Sequence, residues 1–267
     1  MSKAFQISLL LVLISFTSFA KNGKHIEVGI DEQLGSKIPL NVHFRDADSS
    51  DVVLGDLFKG SKAVVLSFNY YRCPGICSPL LFEIANIANK SDLEIGYDYR
   101  IITISMDDRE TPKIAAEKRK GFLEGFDKKL PEHAWTFLTG DSVNIHKVSD
   151  AAGFYFKREG DQFRHSGAFI FINTDGKICR YLFPDYTNRL GFDILPFDFK
   201  MAVLEATKGK ETPTIARVLQ FCYKYDSTGK GYVFDVTRIS GAIIVFFAVV
   251  FFLFIKFKPK KEFKKLR

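Results

Sequence analysis

Short apolar runs alternate along the chain with stretches whose apolar residues recur every three or four positions. Residues 63–70, 100–106, 135–138, 168–172 and 178–183 are compact and rich in β-branched and aromatic side chains, and they predict buried strands. Between them, residues 78–89, 111–125, 142–152 and 197–207 carry helical spacing. Residues 38–44 predict a further strand, paired with 52–54 across the turn at 46–51. The Asn173-Thr174-Asp175-Gly176 turn predicts an antiparallel hairpin. Strand–helix alternation that ends in such a hairpin predicts a three-layer α/β fold with a mixed sheet.

The two ends break this rhythm. Residues 239–255 are uninterrupted by charge, near the lower length limit of about 17–25 for a spanning helix. Lys256 and Lys258 follow, placed to snorkel to the membrane boundary. Residues 1–20 have a positive Lys3, an apolar core over 7–19 and a Ser18-Phe19-Ala20 cleavage pattern, which predicts a secretory signal. The expected organisation is a signal peptide at 1–20, a domain at 21–208, a connector at 209–238, a C-terminal transmembrane helix at 239–255 and a basic tail at 256–267.

Charge then fixes the orientation. The tail holds seven Lys or Arg against Glu262, a net of +6, so with Lys3 it accounts for the chain's whole +7. Residues 21–255 are therefore neutral, which leaves nucleic-acid binding no electrostatic footprint. Lysines after a single span act as a positive-inside signal and sit on anionic lipid headgroups. The expected location is the bacterial inner membrane, single-pass, with the domain periplasmic and the C-terminus cytoplasmic.

The chemistry concentrates at Cys73-Pro74-Gly75-Ile76-Cys77, between the 63–70 strand and a helix expected to open with Ser78 as N-cap and Pro79 in the first turn. A strand that delivers two cysteines to a helix start is the layout of a thioredoxin-like site, and helix N–H groups there favour thiolate. Three residues separate these cysteines, not two. Two chemistries remain open: reversible disulfide exchange, or binding of a soft metal. His165 stands in the loop before the 168–172 strand, which in a thioredoxin-like layout lies across from the cysteine turn. The three would make an S₂N site suited to Cu(I) and able to accept Cu(II), whereas zinc would want a fourth ligand.

On these residues the chain resembles the Sco/SenC family of copper-binding, thioredoxin-like proteins. Residues 68–77 are similar to the family's metal-site segment, and 104–112, 135–141 and 152–156 to segments that follow it. Phe163-Arg164-His165-Ser166-Gly167 falls where its histidine ligand falls, and Asp175-Gly176 at its hairpin turn. The likeness covers roughly residues 36–208. Residues 220–226 and 229–232 look like the C-terminal extension of one membrane-bound branch. The resemblance implies a chaperone that carries one copper per chain on Cys73, Cys77 and His165. It would deliver that copper to the dinuclear copper centre of a respiratory haem–copper oxidase, through the oxidase's copper-accepting subunit. It implies as the alternative a thiol–disulfide oxidoreductase, with Cys73 and Cys77 as its redox dithiol, that reduces the cysteines of that centre or of another exported protein. A copper donor and a thiol reductant would serve either activity.

Gly75 and Phe183-Pro184 depart from the family's usual pattern, at positions expected not to touch the ligand set. Cys179 alternates with Arg180 and reads as a half-buried core residue, and Cys222 as structural. A Cys179–Cys222 disulfide stays open, since spacing does not decide it. Met106 reads as packing, and the adjacent Asp107 and Asp108 as solvated loop acids. His43, His133 and His146 show no ligand spacing to one another.

Overall fold

A computed structural model describes residues 27–124, 126, 130–184 and 194–213, with strand residues 223–226 and 231–234 and helical positions 244, 247, 248, 250 and 251. The signal at 1–20, the basic tail, Cys222 and most of 239–255 lie outside the described residues. Among the described residues no helix is long and apolar enough to cross a membrane.

The elements run β1 Gly29–Ile30, β2 His43–Asp46, β3 Asp51–Val53, a 3₁₀ turn at Leu54–Phe58, β4 Ala63–Asn69, α1 Cys77–Lys90, β5 Arg100–Ser105 and α2 Pro112–Leu123. They continue with β6 Trp135–Thr139, α3 Ser142–Ala151, β7 Phe154–Tyr155, β8 Lys157–Glu159, β9 Gln162–Arg164, β10 Phe169–Asn173, β11 Ile178–Leu182 and α4 Pro196–Thr207. A final hairpin, β12 Tyr223–Asp226 with β13 Gly231–Phe234, falls inside the stretch expected to be a plain connector.

Seven strands form one sheet in the order β11-β10-β4-β5-β6-β2-β3. β4, β5 and β6 are parallel, and the pairings of β10, β11, β2 and β3 are antiparallel, so the sheet is mixed as expected. Every residue of β4 and β6 is buried, as continuous apolar runs covered on both faces must be. On one face Leu80, Leu81 and Ile84 of α1, Phe122 of α2 and Phe199 and Val203 of α4 pack on Val65, Ile101, Phe137 and Phe171. On the other, Ile145 and Val148 of α3 join Ile38, Phe44 and Phe154 against Leu66, Phe68, Ile102 and Leu138. These two cores make the three layers.

Three details depart from the sequence pattern. Residues 38–42 are not strand: Ile38 is buried, but its N–H donates to the Gly176 carbonyl at 3.0 Å and the paired strand begins at His43. The helix at the cysteines starts at Cys77 with Ile76 as N-cap, and Ser78 makes no cap; its hydroxyl accepts from Lys118 Nζ at 2.8 Å. The β8–β9 hairpin was hidden because five of its six strand residues are charged or polar and only Phe163 is buried, which is too little to show a period. Gly153 earns its place sterically, since a Cβ there would lie 1.9 Å from the Asp31 carbonyl where β1 crosses.

The ends of β4 set the polarity of the molecule. Its C-terminal end leads into the cysteine turn. Its N-terminal end pairs Ala63 with Asn173, beside the turn where Lys177 Nζ donates to Gly209 O at 3.0 Å and ion-pairs with Glu211 at 2.7 Å. The chain after α4 thus leaves from the pole opposite the cysteines.

Candidate metal centre

β4 ends at Asn69, and residues 70–76 turn across the C-terminal edge of the parallel strands before α1 begins. Ligand sites favour that edge in α/β sheets, because loops there are free to diverge. Cys73 N–H donates to the Tyr70 carbonyl at 3.2 Å, and Gly75 N–H donates to Cys73 Sγ at 3.3 Å. Gly75 therefore does touch the ligand set, through its amide. A Cβ there would rest 3.8 Å from Cys73 Sγ, an ordinary contact, so a larger residue would fit as well.

Cys77, the first residue of α1, is 0% exposed and packs in the core, while Cys73 is half-buried. His165 follows β9 and comes in from the facing side. Its Nε2 lies 3.6 Å from Cys77 Sγ, and its Nδ1 stands 2.9 Å from the Ser166 carbonyl. That contact puts a proton on Nδ1 and turns Nε2 toward the sulfurs. One ligand atom from each of Cys73, Cys77 and His165 lies within 4.8 Å of the others, the only such group of three among the described residues.

The two sulfurs are unequal. The Cys77 thiol beside it, the His165 contact and the Gly75 amide draw the Cys73 thiol down to about 3, against burial. The Cys77 thiol is pushed up, first because it donates to that thiolate and then by burial. Reduced protein thus holds one thiolate, half-exposed, and one buried proton donor. Tyr70 packs its ring 5.1 Å from Phe163 and edge-on to His165 at 6.1 Å. Burial and the neighbouring Cys73 sulfur raise its phenol to about 12, so it stays protonated.

Two anchoring groups escaped the sequence reading. The Tyr71 hydroxyl reaches through the core to donate to the Leu138 carbonyl at 2.7 Å, with Thr103 O at 3.1 Å. Glu110 is 4% exposed; one oxygen accepts from Arg72 N–H at 2.8 Å, the other from Tyr71 N–H at 2.8 Å and Ser105 Oγ at 2.6 Å. Burial raises its carboxyl above the usual range, and the three donors oppose this.

Asp107 is not the solvated acid expected. It is 3% exposed and paired with Arg109 at 2.9 Å and Arg158 at 3.1 Å. Arg158 also binds Asp108 and stacks 4.7 Å over the Phe163 ring, two residues before His165. The sequence signal for these anchors was slight: acids next to Arg109 in a loop are usually solvated, and only the fold buries two of them.

The remaining sequence candidates lie apart. Met106 is core packing, and Cys179 is a fully buried free thiol whose Sγ lies 3.4 Å from the Lys177 carbonyl. His43 faces Asp51 at 3.3 Å, His133 faces Glu132 at 3.5 Å, and His146 faces Asp150 at 3.8 Å.

Comparison with known proteins agrees with this architecture. Residues 38–191 match the family model described as SCO1/SenC. A putative electron transfer protein from Aquifex aeolicus VF5 superposes with a TM-score of 0.56 at 22% identity, covering 67% of this chain and 96% of that one. Its fold is the fold described above. BsSco, a member of the Sco family of cytochrome c oxidase assembly proteins, is similar at 24% identity and TM-score 0.49, covering 67% and 98%. Arabidopsis thaliana ScoI with copper bound is similar at 19% identity and TM-score 0.47, covering 66% and 97%. No curated protein matches the sequence.

Proposed function

The chain belongs to the SCO1/SenC family, and on that premise we propose that it is a membrane-tethered copper chaperone. Copper is its cargo, one ion per chain, held by Cys73, Cys77 and His165. The acceptor is the dinuclear copper centre of a respiratory haem–copper oxidase. The observation that carries this reading is the convergence of two sulfurs and an imidazole nitrogen within 4.8 Å at a surface turn. Thiolate and imidazole donors suit copper, and three donors suit Cu(I) better than they suit zinc.

Transfer follows from the inequality of the sulfurs. Cys77 and His165 hold the ion from below, while half-exposed Cys73 is the ligand an acceptor thiolate can replace. A new sulfur–copper bond forms as the Cys73 bond breaks, and the domain need not unfold. Loading requires both thiols reduced, so the protein depends on a thiol reductant and a copper donor.

Residues 1–20 direct export, 239–255 span the membrane, and the tail lies on anionic lipid in the cytoplasm. The tether confines donor and acceptor to one membrane face, which raises their effective concentration.

The experiment is copper stoichiometry on the full chain in detergent, reduced and anaerobic, for wild type and His165→Ala. Wild type should bind one copper, and the variant should lose most Cu(II) binding while its Cys73 and Cys77 thiols stay titratable. Copper binding unchanged by the substitution would remove His165 from the site.

A second reading draws on the Cys73 thiolate beside a buried Cys77 thiol. Cys73 attacks a partner disulfide, and Cys77 then attacks the mixed disulfide. The partner gains two electrons, one proton from the Cys77 thiol and a second from solvent as Cys73 and Cys77 are oxidised. Disulfide reductase activity that survives in His165→Ala after copper binding is gone would favour this reading.

A further inference from the structure

We propose that Glu110 is the positioning residue of the metal-binding turn, holding Cys73 at its working distance from Cys77 and His165. The inference rests on the copper reading above and adds to it a residue that touches no ligand. Glu110 stands at the end of the loop between β5 and α2, yet its carboxylate is aimed back into the cysteine turn. It accepts the two consecutive amides, Tyr71 and Arg72, that precede Cys73. No cation pairs with it among the described residues; its charge is met by those amides and the Ser105 hydroxyl alone.

Burying an unpaired carboxylate is costly, and a turn lying in water would not require one. This turn does, because the residues it fixes lead directly into Cys73. The same loop reaches the histidine side through Asp107, Arg158 and Phe163. One loop therefore grips both halves of the site, and Glu110 is its grip on the sulfur half.

The test uses the full chain in detergent and Cu(II) as the probe. Glu110→Gln keeps the shape but offers one acceptor oxygen where two are used, so one turn amide loses its partner. Copper affinity should fall roughly 10–100-fold, the usual cost of losing a group that orients a ligand. The sulfur-to-Cu(II) charge-transfer band should shift. Ser105→Ala is the comparison: it removes one donor to Glu110 and leaves both amide bonds, so its band should stay in place even where its melting temperature drops. An unchanged band in Glu110→Gln, or an equal shift in Ser105→Ala, would overturn the proposal. Wild type decides the matter independently of variants. Its Tyr71 and Arg72 amides should exchange with solvent slowly although Arg72 is exposed, and fast exchange refutes the clamp. A wild type that binds no copper but protects these amides would sink the chaperone reading and leave the clamp standing.

Discussion

At the scale of the residue, the site is defined by two unequal sulfurs, one half-buried and one fully buried. Cys73 is held near 3 by its neighbours, and Cys77 is pushed the other way. A depressed thiol stays ionised below the ordinary cysteine range, so its reactivity should persist as pH falls. Iodoacetamide at pH 5 should label Cys73 in the reduced full chain and leave Cys77 unlabelled; equal labelling of both would contradict the assignment. The sign for stability follows. The Cys73 contribution is present above the unfolded cysteine pKa, and it is lost as pH falls toward the folded value. The three converging residues were legible because cysteine and histidine are rare and their positions informative. What set their geometry was not. Glu110, Asp107 and Arg158 are common residue types, and their roles arise from burial that only the folded chain creates.

At the scale of the element, α1 joins site and core, since Cys77 opens it and its inner face seals one layer. Ile84, fully buried in that face, should cost about 2–5 kcal/mol when cut to alanine. Phe82, two residues away, is 54% exposed and touches the Phe122 ring at 4.6 Å, so it should cost clearly less than Ile84 as serine. Denaturant unfolding followed by the fluorescence of Trp135, the chain's sole tryptophan, measures both. Similar losses at the two positions would mean the helix face is misassigned. The central strands and the four helices were legible because each has one period, although α1 starts one residue before its expected cap. Pro112 begins α2 and Asp141 caps α3 through the Asn144 amide at 2.8 Å. Residues 38–42 misled because Ile38 and Val42 are buried by tertiary packing rather than by strand pairing. The β8–β9 hairpin, which delivers His165, is held by ion pairs whose partners are distant in sequence.

At the scale of the whole molecule, a neutral body and a strongly basic tail belong to one chain. Anchored as proposed, the full protein should stay with the membrane pellet after an alkaline carbonate wash, and a chain ending at residue 238 should not. Release of both would leave only peripheral attachment. The described end of the chain after α4 and the cysteine turn sit at opposite poles of the domain. β4 alone separates them by about 20 Å at some 3.3 Å per residue. Residues 214–238 follow, and the β12–β13 hairpin lies within them. Anchored as proposed, a body held by that pole is an arm with its open sulfur on the side facing away from the bilayer. Such an arm serves an acceptor whose copper centre stands above the lipid, and it lets one donor sweep a disc of membrane in search of it.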